Sequence, residues 1–272
     1  MGVLGQSDLD HFDEQGYVVV REAVPKANCE AVVDAIWDFL GMDRDDADDW
    51  YREPHKPGGG MVEMYQHQAV WDNRQHPRLH AAYAQLWGTE RLWCSIDRVN
   101  FKPPPHPDYP EWDHKGFRHW DADTSKLPLR FGVQGVVYLT DTAADQGSFQ
   151  CMPGEHKPLL DVEQPYVPEL DPDKFVQIEG QAGDLLIWHR ALAHGNGHNT
   201  SDKPRLAQYI SMRPERYEDE DARQHRIKCW RDRLCPGGRA FPGDPRGWEH
   251  EKAKTAALTP LGRKVLGLDA WE

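Results

Sequence analysis

His119 and Asp121 stand two residues apart in the run Arg118-His119-Trp120-Asp121. On an extended segment, side chains at i and i+2 point to the same side, so this imidazole and carboxylate can grip one ion. His194, arriving from a distant strand, would complete two imidazoles and one carboxylate on one face of a metal. Such a set leaves the opposite face open to substrate and O₂, the arrangement of non-haem Fe(II) oxygen-activating sites. Arg205, eleven positions after His194, adds a permanently charged fork that forms two parallel hydrogen bonds to a carboxylate. That suits a dicarboxylate co-substrate held next to the metal.

Other residues compete for these roles. His11-Phe12-Asp13 repeats the spacing inside a predicted helix, where i and i+2 diverge. His106-Pro107-Asp108 repeats it in a proline-rich loop with nothing to hold its geometry. Asp123, four residues after His119, would share its side only if the strand stayed regular through Ala122, so Asp121 is preferred. His189 ends an apolar run and is expected to pack or hydrogen-bond nearby. His198, in Gly195-Asn196-Gly197-His198-Asn199, is expected to face solvent or the mouth of a pocket. For the pocket itself, Arg98, Trp112, Arg118, Trp120 and Gln134 are the candidate substrate contacts, and Trp188 is a further candidate wall. Arg98, Lys102, His114, Lys115 and Arg118 concentrate positive charge before the metal motif, either to recruit an anion or to balance Asp108, Glu111 and Asp113.

The elements that must carry these residues follow from periodicity. Residues 8–15 read as a helix and Tyr17–Val20 as a β-branched strand. Pro25 opens a second helix, with Ala31, Val32, Ala35, Ile36, Phe39 and Leu40 at helical spacing. The acidic run Asp43–Asp49 ends it as a solvated loop, and Pro57-Gly58-Gly59-Gly60 is a flexible loop and candidate lid. Residues 73–87 again look helical. Strands follow at 92–101, 131–139, 177–178, 185–188 and 206–212, with a polar loop over 106–118. Helical pattern returns at 253–258 and 261–266. Many short strands divided by Gly and Pro, after a helical beginning, predict a mainly β fold, a sandwich or barrel with flanking helices.

Composition narrows the class. A chain of 272 residues without repeat or low-complexity tract suits a single domain, 1–272. A net charge of −13 argues against nucleic acid and against anionic membrane surfaces as partners. No apolar run approaches the roughly 20 residues of a membrane span, and residues 1–16 lack the pattern of a secretory signal. Five scattered cysteines form no C-x-x-C pair, which predicts reduced thiols and a cytoplasmic protein.

The ordered motifs resemble the phytanoyl-CoA dioxygenase family of Fe(II)/2-oxoglutarate oxygenases. Phe12-Asp13-Glu14-Gln15-Gly16-Tyr17-Val18-Val19 is similar to the family's opening, and Val99-Asn100-Phe101-Lys102-Pro103-Pro104 to the strand before its metal motif. Met152-Pro153-Gly154-Glu155-His156-Lys157 and His194-Gly195-Asn196-Gly197-His198-Asn199 through Arg205 complete the series, across about 8–213. Residues 214–272 form a charged, partly helical extension without a family counterpart, and Asn196 stands where the family often has Ser. The resemblance implies a double-stranded β-helix (a cupin-like jelly roll) with iron on His119, Asp121 and His194. It also implies 2-oxoglutarate on Arg205, with Asn196, Lys102 and Trp188 nearby, and oxidative decarboxylation by O₂ coupled to hydroxylation of a small molecule. Halogenating relatives replace the carboxylate by a small residue, so Asp121 favours oxygen insertion. A hydrolase or isomerase using His/Asp/His around Zn²⁺ would not need Arg205. A non-catalytic jelly-roll binding protein would not need the complete set.

Overall fold

The computed structural model describes residues 2–123, 125–126, 128–161, 169–237 and 243–272. Helix α1 (Gln6–Gln15) ends on Gly16 at φ +80°, a left-handed conformation that glycine adopts without steric penalty, and leads into β1 (Tyr17–Val20). After α2 (Lys26–Leu40) come β2 (Met61–Val62), α3 (Gln68–Arg74) and α4 (Pro77–Trp87). The strands then dominate: β3 (Leu92–Cys94), β4 (Val99–Lys102), β5 (Phe117–His119), β6 (Val133–Tyr138) and β7 (Phe149–Cys151). The short helix α5 (Pro158–Asp161) precedes β8 (Val176–Ile178), β9 (Leu185–His189), β10 (His194–Asn196), β11 (Arg205–Tyr209) and β12 (Met212–Pro214). Three helices finish the chain: α6 (Glu220–Arg231), α7 (Trp248–Lys252) and α8 (Pro260–Leu266).

The strands form a six-stranded sheet in the order β1-β9-β6-β11-β4-β2 and a four-stranded sheet in the order β5-β10-β7-β8, with β12-β3 as a small pair beside them. Their pairings are antiparallel, and the two larger sheets make the jelly roll that the motifs implied. Period-two alternation sorts the large sheet's side chains. Val18, Val20, Val99, Phe101, Val133, Val137, Leu185, Ile187 and Leu206 join one apolar cluster with the helices. Val136, Tyr138, Leu186, Trp188 and Ala207 join another, with Phe149 and Cys151 of the small sheet. The large sheet is thus covered on both faces. That is why Leu185-Leu186-Ile187-Trp188 shows no polar alternation.

Several boundaries differ from the expectations. The helix predicted over 73–87 breaks at His76 (ψ 126°), because the residue before Pro77 is pushed out of the helical region. The strand predicted over 92–101 divides: β3 pairs with β12, while β4 joins the large sheet. Residues 253–258 are not helical. Their backbone bonds to α3 side chains instead, Ala257 N–H to Gln68 Oε1 at 2.7 Å, with Thr259 N–H following to Gln75 Oε1 at 2.8 Å. The glycine loop is tied down on β4, with Asn100 Nδ2 donating to Gly59 O (2.8 Å) and Phe101 N–H to Gly60 O (2.9 Å).

The extension beyond residue 213 packs into the main core through Cys229, Ala256, Val265 and Leu266. Its residues 238–242 lie outside the described set. A buried carboxylate anchors it: Glu249 accepts hydrogen bonds from Tyr65 N–H (2.6 Å) and Gln66 N–H (2.8 Å) just beyond β2. Burial pushes its carboxyl up to about 7, against the partial compensation of those two bonds. Between the unfolded value of roughly 4.3 and 7 the folded protein holds more protons than the unfolded one, so this group's contribution weakens as pH rises. Replacing Glu249 by Gln removes that dependence. The stability advantage of wild type over Glu249→Gln, from urea midpoints, should therefore be larger at pH 5 than at pH 8. An advantage equal at both pH values would contradict it.

Candidate metal centre

Strand β10 runs between β5 and β7, and its first residue, His194, lies directly opposite His119 at the end of β5. The two imidazoles are tilted against each other with ring centres 4.4 Å apart. Asp121, just past β5, turns its carboxylate between them. Its Oδ1 lies 3.3 Å from His119 Nε2 and its Oδ2 3.3 Å from His194 Nε2. One ligand atom from each residue falls within 4.8 Å of the others, and no other such group occurs among the described residues.

The donor chemistry fits an ion. His194 Nδ1 lies 2.9 Å from Leu192 O, and a carbonyl only accepts, so Nδ1 carries a proton and, in the neutral ring, Nε2 is a lone pair. That lone pair faces a carboxylate oxygen, two acceptors that want a cation between them. An ion about 2.1 Å from each ligand places neighbouring ligand atoms about 3 Å apart, close to the separations seen. Burial would raise the Asp121 carboxyl, but the contacts to His119 and His194 outweigh it and hold the group well below the usual carboxylate range. Gln134 Nε2 donates to Asp121 Oδ2 at 2.7 Å and fixes the carboxylate's rotation.

The triad opens on a cavity of about 310 Å³ between the sheets, lined also by Arg98, Gln134, Trp188, Asn196 and Arg205. Arg205 enters from β11 and is 1% exposed. Its Nη1 donates to Asn100 Oδ1 at 2.7 Å, while its Nε is buried without a partner. Such an unpaired charged donor is costly unless a ligand completes it. Lys102, opposite Arg205 in the ladder, lies outside this lining: its Nζ donates to Gly197 O at 3.1 Å, and burial followed by repulsion from Arg205 brings it down to about 7.

The other expected contacts lie elsewhere. Trp112 is buried against Tyr51 and His55 (ring centres 5.9 and 5.4 Å). Arg118 points to the other face of β5, donating to Gln150 Oε1 at 3.2 Å and lying over the Phe175 ring. Trp120 is half-buried but does not line the cavity. Asp123 pairs with Lys126 at 2.8 Å and His198 with Asp113 at 2.6 Å, both away from the triad. Residues not foreseen do line the cavity, among them Met61, Asp97, Phe117, Phe149 and Tyr209. Phe117 could have been found, since it precedes His119 by two and must share its side. Tyr209 also shares the side of Arg205 at i+4 on β11, whereas Met61 could not have been found, because only the strand order brings it there.

A jelly roll with this donor set and a cationic partner defines the non-haem Fe(II), 2-oxoglutarate-dependent dioxygenases. The sequence model of phytanoyl-CoA dioxygenase matches residues 12–207, and the chain belongs to that family. Ava biosynthesis cluster protein O of Aspergillus versicolor is 25% identical over 262 residues, covering 81% of this chain and 82% of that protein. Among solved structures, hypothetical protein JW0805 from Escherichia coli superposes with a TM-score of 0.67 at 18% identity, covering 97% of this chain and 82% of that one. The epimerase SnoN, in complex with Fe3+, alpha ketoglutarate and nogalamycin RO, gives 0.56 at 20% identity, covering 76% of this chain and 82% of that one.

The pairing of β5 with β10 is the structural condition for the triad. A Cβ on Gly195 would meet Phe117 O at 1.5 Å, a backbone atom that can move only if the strands part. Gly195→Ala should therefore destabilise the protein by about 1–3 kcal/mol and weaken binding of a divalent metal at least ~10-fold. Urea denaturation and metal titration by calorimetry would show both. Unchanged metal affinity would mean that β5 tolerates the shift.

Proposed function

We propose that His119, Asp121 and His194 hold Fe(II), that Arg205 receives the far carboxylate of 2-oxoglutarate, and that the enzyme hydroxylates an aliphatic C–H of a small molecule. The observation that carries this reading is the triad and the buried, incompletely bonded Arg205 lining one cavity. The bound iron supplies oxidative decarboxylation of 2-oxoglutarate by O₂, giving succinate and CO₂ and the oxidising power to break a C–H bond. The chain's own residues supply position. Leu192 O fixes the His194 tautomer, Gln134 fixes the Asp121 rotamer, and Asn100 fixes the Arg205 fork. Trp188, Phe149 and Val136 give the cavity apolar walls that exclude water from the reacting atoms.

A small-molecule substrate is supported by the cavity's size, at the low end for ligand pockets. The name of the Aspergillus versicolor relative and the ligands held by SnoN point the same way. We further read the chain as one catalytic unit working in the cytoplasm. Packing of the C-terminal helices into the main apolar cluster supports the first part, and the reduced, unpaired cysteines support the second. No helix of the described residues is long and apolar enough to cross a membrane.

Two measurements test this. Succinate release from 2-oxoglutarate with Fe(II) should fall by more than ~100-fold in Asp121→Ala and change by less than about 2-fold in Asp123→Ala, whose carboxylate sits outside the cavity. The reverse pattern would move the metal to Asp123. Asn100→Ala should raise the KM for 2-oxoglutarate by about 10-fold with kcat nearly intact, because it frees a fork that must then order itself on binding. An unchanged KM would remove Asn100 from this role.

A further inference from the structure

The cavity holds a second guanidinium. Arg98 lies just before β4, and its carbonyl accepts from Tyr209 N–H at 3.2 Å, so it sits at the far end of the same strand pair as Arg205. Lys102 pairs with Arg205 and Val99 with Gln208, which puts Arg98 four residues from the Arg205 level. That is roughly 13 Å along the strand. Each arginine is held through its Nη1, Arg205 by the Asn100 amide and Arg98 by the Asp97 carboxylate. Arg98 Nη1 bonds to Asp97 Oδ1 at 2.8 Å, its guanidinium carbon lies 5.7 Å from the centre of the Tyr209 ring, and its Nε is buried without a partner. One edge of each guanidinium is thus anchored to the protein, and the edge that includes Nε is left to a ligand.

We propose that Arg98 is the specificity-determining residue for the primary substrate, and that this substrate is a small carboxylic acid whose carboxylate docks on the free Arg98 edge. The inference rests on the function proposed above. There, 2-oxoglutarate uses its keto acid end on the iron and its other carboxylate on Arg205, so it leaves no anion for Arg98. A five-carbon diacid anchored at Arg205 and at the triad does not extend to the opposite end of the cavity. A second acid held at Arg98 would approach the triad from that end, across Tyr209 and beside Phe117. Phe117 is 59% exposed at the rim and stacks on His119 with ring centres 4.7 Å apart, offering an apolar surface to the body of the acid. Asp97 also lines the cavity, but its Oδ1 is engaged by Arg98 Nη1 and by the Arg98 N–H, so it orients the fork and does not replace the ligand.

The test uses the full chain loaded with Fe(II) in the absence of O₂, as wild type, Arg98→Gln, Arg98→Lys and Arg205→Gln. Binding of 2-oxoglutarate is read from the Fe(II)–2-oxoglutarate charge-transfer absorption. It should weaken by at least ~10-fold in Arg205→Gln and by less than ~2-fold in both Arg98 variants. Succinate formation with O₂ is then measured against a panel of small aliphatic and aromatic carboxylic acids, each matched with its primary amide. At least one acid should stimulate wild type at least ~10-fold more than its amide, and that preference should be lost in Arg98→Gln. In Arg98→Lys, which keeps the charge and loses the fork, the acid should still be preferred but with a higher KM. The retained 2-oxoglutarate affinity shows that the variants are folded. Three results overturn the inference while leaving the proposed function intact: no acid better than its amide, an undiminished preference in Arg98→Gln, or weakening of 2-oxoglutarate by the Arg98 variants. Failure of wild type to bind Fe(II) and 2-oxoglutarate at all would overturn both.

Discussion

The placement of His194 opposite His119 on neighbouring antiparallel strands is the constraint on which the site depends. These residues are 75 positions apart, and no local preference could bring their rings together. A ladder does so rigidly, because opposed residues stand about 5 Å apart and a slip by one would turn a histidine to the other face. Strand β5 has only three residues and lies at the edge of its sheet, so its register rests on few hydrogen bonds. Gly195 makes the close approach possible: no side chain larger than hydrogen fits against the Phe117 carbonyl. The third member of the triad, Asp121, follows from chain direction alone, as the residue that returns to the His119 side after one step.

The large sheet solves a different problem, that of keeping charged and polar groups in an interior. Arg205, Lys102 and Asn100 occupy inward positions on adjacent strands, where a sandwich would ordinarily place apolar residues. A buried cation without a partner is expensive, and the two cations here are held by few bonds. Arg205 leans on Asn100, and Lys102 leans on a single carbonyl of Gly197. Arg226 is the instructive contrast. It is also buried, but its Nε and Nη2 are taken by the carbonyls of Leu266, Cys94 and Val265, which makes it a clasp between α6, β3 and α8. Arg205 keeps an unpaired Nε beside its cavity, whereas the bonds of Arg226 tie three elements together.

The sequence was legible where chemistry and local period coincide. The pairing of His119 with Asp121 needed only the two-residue repeat of an extended chain, and the strand Leu185–His189 announced itself by its apolar run. Its limits were equally physical. Residues 92–101 alternate well, yet they serve two sheets, because Arg74 donates to the carbonyl of Asp97 and holds the chain where it turns. The apparent helix at 253–258 has the right composition, but Gln68 accepts the Ala257 N–H and Gln75 donates to the Ala257 carbonyl, from 189 and 182 positions away. Trp112 and Trp120 looked like pocket walls from their nearness in sequence to His119. Nearness along a loop, unlike nearness along a strand, carries no rule for direction. Met61 gave no signal because its role depends on which strands become neighbours.

The division of the core explains how the fold supports such an interior. The cluster between the sheets is small, eight fully buried residues among those described, because much of the inward surface is polar or lines the cavity. The cluster on the outer face is several times larger and recruits α2, α3, α4 and the C-terminal helices. Apolar burial is roughly proportional to area, so most of the hydrophobic stabilisation comes from the side of the sheet that faces away from the triad. The C-terminal extension then has a structural reason to exist. Glu249 and Arg246 reach back to the segment 63–66 directly behind β2, whose Met61 lines the cavity. The extension completes the outer core and braces the rim strand, and the inward face is left to the triad, Arg205 and their cavity.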